Sequence, residues 1–162
     1  MGINACPIQV KLDIPADLTF LALVSESLRS VFEHVPGLPD KEAVLYNLQL
    51  AAQEACTNII QHAYGLAAQP GLASPGMRIA LEICLDSTTI TIQLEDTGRP
   101  FDGLPEPGVV QVPDEPQEHG YGLFLIYALV DEVRYQALPG KNCWVLSKQF
   151  GAPGEPAASV GA

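Results

Sequence analysis

The sequence predicts an α+β sandwich: three main helices on one face of a mixed, largely antiparallel sheet of about five strands. Two neighbouring segments alternate with period two. Met77, Ile79, Leu81, Ile83 and Leu85 share one face, and Ile90, Ile92 and Leu94 share a face of the next. Between residues 41 and 64 the apolar positions instead recur at helical spacing, through Val44, Leu48, Ala51, Ala55, Ile59 and Ala63. The strands carry one apolar and one polar face, which calls for helices on one side only.

Along the chain, Ile8 to Leu12 alternates and is closed by Pro15, giving a short first strand. Asp17 is placed to cap a helix whose inner face is Leu21, Val24, Leu28 and Val31. Pro36-Gly37-Leu38-Pro39 breaks that helix, and Asp40 is placed to cap the long one, Lys41 to Tyr64. Gly65 ends it. A loop rich in Ala, Gly and Pro leads to the alternating pair, joined tightly at Asp86-Ser87 as a hairpin. Residues 99–119 hold five prolines and form a long loop, a length that within a compact domain usually serves function. A third helix, Gly122 to Asp131, turns Leu123, Ile126, Tyr127 and Val130 inward. A last hairpin pairs Val133–Ala137 with Cys143–Phe150 through a turn at residues 139–142. Residues 1–150 read as one domain, and residues 151–162 as a disordered tail of small residues and proline.

With 162 residues the chain is long enough to bury about two-thirds of its unfolded surface. Its net charge of −11 argues against nucleic acid or an anionic membrane as partner. A basic protein partner suits that charge, as does solubility alone. Cys6, Cys56, Cys84 and Cys143 form no Cys-x-x-Cys pair and no metal-spaced cluster. Cys56 on a helix and Cys84 on a strand are expected as free thiols acting as small hydrophobes. There is no charged-then-apolar leader and no run of about eighteen apolar residues, so the chain reads as cytoplasmic.

Chemistry concentrates in three places. Glu54, Asn58 and His62 stand at i, i+4 and i+8 of the long helix, along one stripe. An amide oxygen is a hard ligand suited to Mg²⁺, and a carboxylate one turn away can orient or deprotonate a nucleophile. The helix is unusually apolar around them, and Ala51 and Ala55 leave room for a ligand. Next, Asp96-Thr97-Gly98 ends a strand. An Asp-x-Gly is ordinarily a turn, but its carboxylate can also accept from the exocyclic amine of adenine, where guanine presents a carbonyl. Third, Gly120-Tyr121-Gly122 opens a helix, whose free N–H groups and positive dipole end attract phosphate. Each motif alone is short. Together, in this order and on these elements, they describe an ATP site.

The three resemble the conserved boxes of the GHKL, or Bergerat-fold, ATPase superfamily, and most closely its anti-sigma factor serine-protein kinase branch. The residues that carry the likeness are Glu54-Ala-Cys-Thr-Asn58-Ile-Ile-Gln-His62-Ala-Tyr64, Asp96-Thr-Gly98-Arg-Pro-Phe101-Asp102, Leu104-Pro-Glu-Pro107, Gly122-Leu-Phe-Leu-Ile126, Asp131-Glu-Val-Arg-Tyr135 and Asn142 to Lys148. His119 and Tyr121 depart from it, standing where small residues are common. The resemblance implies that Asn58 holds Mg²⁺ on the phosphates of ATP and Asp96 selects adenine. Gly98, Gly120, Tyr121 and Gly122 would give close backbone approach to the nucleotide under a closing loop. Glu54 would act as general base on a serine or threonine hydroxyl. It further implies an anti-anti-sigma (STAS) substrate, a competing sigma factor and, through the polar sheet face, room for a homodimer. The alternative from the same fold is a non-catalytic, nucleotide-dependent binding module. A detached histidine-kinase domain would need an acceptor helix with an exposed histidine and a dimerisation heptad, and neither is present.

Overall fold

The structure is a computed structural model that describes residues 7–102 and 121–150, apart from the Tyr121 side chain. The expected disordered tail, the Leu104–Pro107 segment, His119 and Gly120 lie outside the described residues. Five strands, β1 (Ile8–Pro15), β2 (Arg78–Leu85), β3 (Thr89–Asp96), β4 (Glu132–Leu138) and β5 (Lys141–Gln149), form one sheet in the order β1-β2-β3-β5-β4. All four described pairings are antiparallel, so the sheet expected as mixed has no parallel pair among the described residues. Three helices, α1 (Leu21–Glu33), α2 (Lys41–Asn58) and α3 (Tyr121–Leu129), complete the α+β layer.

The alternation does what the pattern promised. Ile79, Leu81, Ile83 and Leu85 on β2 and Ile90, Ile92 and Leu94 on β3 are all buried. Across from them lie Leu21, Val24, Leu28 and Val31 of α1, and Leu48, Ala51, Ala52, Ala55 and Cys56 of α2. Burying each such Leu or Ile contributes about 1.5–3 kcal/mol. The run of alanines at zero exposure keeps α2 thin where it meets the sheet and α3. Burial pushes the Cys56 thiol up to about 12, so it behaves as the expected hydrophobe. Cys84 does not: it is disulfide-bonded. Alternation puts it on the helix-free side of the sheet, away from the core that keeps Cys56 a thiol.

Three local details differ from expectation. Asp17 caps not α1 itself but a short 3₁₀ turn, Leu18–Phe20, that leads into it. Its Oδ1 accepts from the Thr19 amide and its Oδ2 from the Gly71 amide, which ties the loop before β2 to this corner. Those amides, Gly71 first, hold the Asp17 carboxyl below its ordinary range. Asp40 precedes α2 but makes no side-chain cap, because it sits in the left-handed region at φ 49° and offers only its carbonyl, to Val44. Asp is among the few residues that tolerate that conformation. Finally, α2 does not run unbroken to Tyr64. It passes after Asn58 into a π turn, Ile59–Ala63, closed by the Tyr64 amide on the Ile59 carbonyl at 3.1 Å. Gly65, at φ 65°, then ends the helix as expected.

The π turn is held at its far end by Tyr64. Its hydroxyl donates to the Arg78 carbonyl at 2.6 Å and accepts from the Thr97 amide at 3.0 Å. One phenol thereby fixes the end of α2 to the start of β2 and the end of β3. That clasp brings the Asp-x-Gly turn beside Asn58.

Candidate functional site

The site lies where α2 gives way to its π turn, between the ends of β3 and β5 and the first turn of α3. Asn58, Ile59 and Ala63 from the helix, Asp96 and Arg99 after β3, and Phe101, Tyr135 and Trp144 line a small cavity there. It measures about 10 Å³, the space of one water. The Phe101 ring lines it, edge-on to Tyr135 and Trp144 at centroid distances of 6.3 and 5.8 Å. A larger hollow of about 330 Å³ lies on the helix-free face. Its lining charges are already committed, Lys11 to Glu82 at 3.6 Å and Arg78 to Asp13 at 2.7 Å. Polar chemistry left open to a ligand therefore favours the smaller cavity.

That chemistry centres on Asp96, which is 3% exposed. Its Oδ1 accepts from the Gly98 amide at 2.9 Å and from Asn142 Nδ2 at 2.8 Å. Its Oδ2 is buried with no hydrogen-bond partner. An unpaired buried acceptor costs about 1–3 kcal/mol, and more when charged. Burial raises the Asp96 carboxyl above its ordinary value, against the opposing pull of the Asn142 and Gly98 donors. One carboxylate oxygen is thus saturated and the other kept free, at a cost to the fold that a donor from a ligand would remove.

Glu54 and Asn58 meet α3. A Cβ built on Gly122 would lie 2.6 Å from Glu54 Oε2 and 3.5 Å from Asn58 Oδ1. The two side chains therefore face the first turn of α3, as the one-turn spacing on α2 requires. Asn58 touches both ends of the site, lining the cavity of Asp96 while facing Gly122. His62 does not join this stripe. The extra residue per turn of the π segment rotates it to the surface, where its ring meets Phe101 edge-on at 6.0 Å.

The two described glycines of the site serve different ends. A Cβ on Gly98 would fall 2.5 Å from the Ala63 carbonyl oxygen, so the turn packs onto the backbone of the π segment. The Arg99 amide then donates to that same carbonyl at 2.8 Å. Gly98→Ala should destabilise the domain by about 1–3 kcal/mol, since a backbone atom must give way. Gly122→Ala should behave oppositely. Only the tip of Glu54 must yield, and alanine gains helix propensity of up to about 1 kcal/mol. Its melting temperature should hold or rise while the Glu54 carboxylate is displaced. Thermal denaturation of both variants beside a phosphotransfer assay checks the contrast.

Asn142 is the residue whose role here was hidden in the sequence. Read as part of a turn, it is in fact the second residue of β5, 2% exposed and directly opposite Asp96. The signal was available in register. Pro139-Gly140 makes the turn, with Gly140 at φ 80°, so Leu138 pairs with Lys141 and Asn142 falls on the inner face. Tyr135 contributes too, its hydroxyl accepting from the Phe101 amide at 2.7 Å.

No group of three or more His, Cys, Asp or Glu among the described residues is placed to hold a metal. The Asn58 amide oxygen beside the Glu54 carboxylate is a hard donor set that fits Mg²⁺ only with further oxygens, such as those of phosphates.

The chain is 28% identical over 137 residues to the serine-protein kinase RsbW of Bacillus pumilus (strain SAFR-032), covering 81% of this chain and 80% of the relative. It is 29% identical over 137 residues to the serine-protein kinase RsbW of Staphylococcus aureus, again covering 81% of this chain and 80% of the relative. Among solved structures, the RsbU and RsbW domains of Rv1364c from Mycobacterium tuberculosis match with a TM-score of 0.58 at 16% identity. That match covers 93% of this chain and 35% of the other, and it is a likeness of fold. Residues 14–148 match the family described as histidine kinase-like ATPase domain, and with most of its length inside that match the chain belongs to this family.

Proposed function

We propose that the protein is an ATP-binding, anti-sigma-type regulator that phosphorylates a serine or threonine of an anti-anti-sigma (STAS) partner and switches between that partner and a sigma factor. The free Oδ2 of Asp96 carries the nucleotide half of this reading. It is an acceptor in an aromatic-lined cavity, which suits the exocyclic amine of adenine and repels the carbonyl of guanine. The kinase half rests on Glu54 and on the relatives' names, serine-protein kinase.

The site has a direction. Asp96 would hold the adenine, and Asn58 and the backbone N–H groups and dipole of the first turn of α3 would receive the phosphates. Asn58 and phosphate oxygens would hold Mg²⁺, which supplies neutralisation of charge on the phosphates. The partner's hydroxyl oxygen attacks the γ-phosphorus, its proton passes to the Glu54 carboxylate, and ADP departs with the electrons of the broken bond. The closeness of Glu54 to α3 favours this reading over a binding module without chemistry.

Work in the cytoplasm suits such a regulator, and no described helix is long and apolar enough to cross a membrane. Incubation with γ-labelled ATP, Mg²⁺ and a candidate STAS protein from the same genome tests the proposal. Label on the partner's serine or threonine is expected. Nucleotide binding with no label on any candidate would move the protein to the binding-module class.

Entry of adenine needs the cavity to widen, and Phe101 is one of the aromatic side chains that line it. Trp144, the chain's only tryptophan, is buried against Phe101 and lies 4.7 Å from Tyr135 between ring centroids. Its fluorescence should therefore change on saturation with Mg-ATP, and less so in Phe101→Ala. Unchanged emission during binding confirmed by calorimetry would place the base elsewhere.

A further inference from the structure

Beyond Asp96 itself, we propose that Asn142 is the positioning residue that sets nucleobase selectivity, by locking the Asp96 carboxylate with one oxygen engaged and the other presented to the base. This rests on the adenine reading of the site and adds a residue to it. Asp96 and Asn142 face each other across β3 and β5, and the inner-face pairs that follow are Leu94 with Trp144 and Ile92 with Leu146. A polar pair thus ends an apolar row. Packing alone does not call for it, since an apolar pair of similar volume would spare the desolvation of a buried carboxylate.

The geometry gives Asn142 two tasks at once. Its Nδ2 lies 2.8 Å from Asp96 Oδ1, 3.0 Å from the Gly98 carbonyl and 3.3 Å from the Arg99 carbonyl. Three acceptors around one terminal atom identify it as the NH₂ end, because an oxygen there would meet only oxygens. Donation to Oδ1 stops the carboxylate from turning, so Oδ2 stays aimed into the cavity. Donation to the two carbonyls fixes the turn after β3 in the same clamp. The carboxylate that reads the base and the turn leading to Phe101 are bolted together by one amide.

Apolar and donor-bearing replacements separate this role from packing. With Asn142→Leu, Asp96 becomes free to rotate and to take up a proton, and a protonated carboxyl can donate to an oxo-purine. The other charged or titratable side chains lining the cavity are Arg99 and Tyr135, while Glu95 pairs with Lys141 on the opposite face of the sheet at 3.1 Å.

ATP and ITP, which differ at the position Asp96 reads, are titrated against the parent, Asn142→Leu and Asn142→Thr across a range of pH. The parent should prefer ATP by about tenfold or more, the value of one charge-assisted bond. Asn142→Leu should lose most of that preference, and its ATP affinity should begin to fall at a higher pH than the parent's as the medium is acidified. Asn142→Thr keeps a donor and a strand-favouring side chain, so it should fold and recover part of both. A parent that prefers ATP, with variants that keep its ratio and its pH midpoint, would overturn the role of Asn142 alone. A parent that does not distinguish the two nucleotides would overturn the adenine reading and this proposal together.

Discussion

Asp96→Asn should nearly abolish ATP binding while leaving the domain folded and no less stable. The substituted amide can keep its oxygen where Oδ1 now accepts from Gly98 and Asn142. Its NH₂ then takes the place of Oδ2 and points a donor at the donor of adenine. The lost charge-assisted bond is worth about 1.5–3 kcal/mol, so affinity should fall at least tenfold, and the facing donors add to that. Stability should move the other way. Burial holds the Asp96 carboxyl above its unfolded value of 3.8, so the folded protein binds this proton more tightly than the unfolded chain does. The resulting stability is present below that unfolded value and is lost as pH rises through the raised folded value. When ionised, Asp96 makes the parent carry the penalty of a buried charge with one oxygen unpaired. The neutral variant escapes it. Calorimetric titration beside thermal melts at neutral and acid pH tests both halves, and unchanged ATP affinity in a folded variant would remove Asp96 from the base site. A melting temperature well below the parent's at neutral pH would mean the clamp with Asn142 needs the carboxylate.

The strands and the core were legible because burial on one face writes period two directly into the residues, and the apolar positions of β2 and of β3 each obey it. The site was legible only as a set of residue types. Nothing in Ile59-Ile60-Gln61-His62-Ala63 marks a π turn, since its apolar residues also suit an α-helix. What decides it is the clasp of Tyr64 on β2 and β3, a tertiary contact. His62 was consequently expected on a stripe it leaves. Asp40 looked like a side-chain cap for the same reason, because its left-handed backbone is set by the chain's path past Pro39 and not by its own type. Asn142 shows the reverse case, in which the information was present. Its meaning needed strand register, and register needed the two-residue turn at Gly140.

Glu54→Ala should separate binding from chemistry. The Glu54 carboxylate faces the first turn of α3 and not the Asp96 cavity, so Mg-ATP affinity should stay within a few-fold of the parent. Removal of a general base should slow phosphotransfer by roughly 10²–10⁴. The fold should tolerate the change, because Glu54 is half-buried on an alanine-rich helix and alanine is the best helix former. Asn58→Ala is the control with the opposite signature. Asn58 lines the cavity and faces Gly122, so its loss should weaken nucleotide binding and transfer together. Single-turnover transfer of label to the STAS partner, with nucleotide at saturation, reads the chemical step apart from affinity. Transfer by Glu54→Ala at the parent rate would show that this carboxylate takes no proton. The crowding of Gly122 against Glu54 would then be a packing contact between α2 and α3, and the base would have to come from elsewhere in the chain or from the partner.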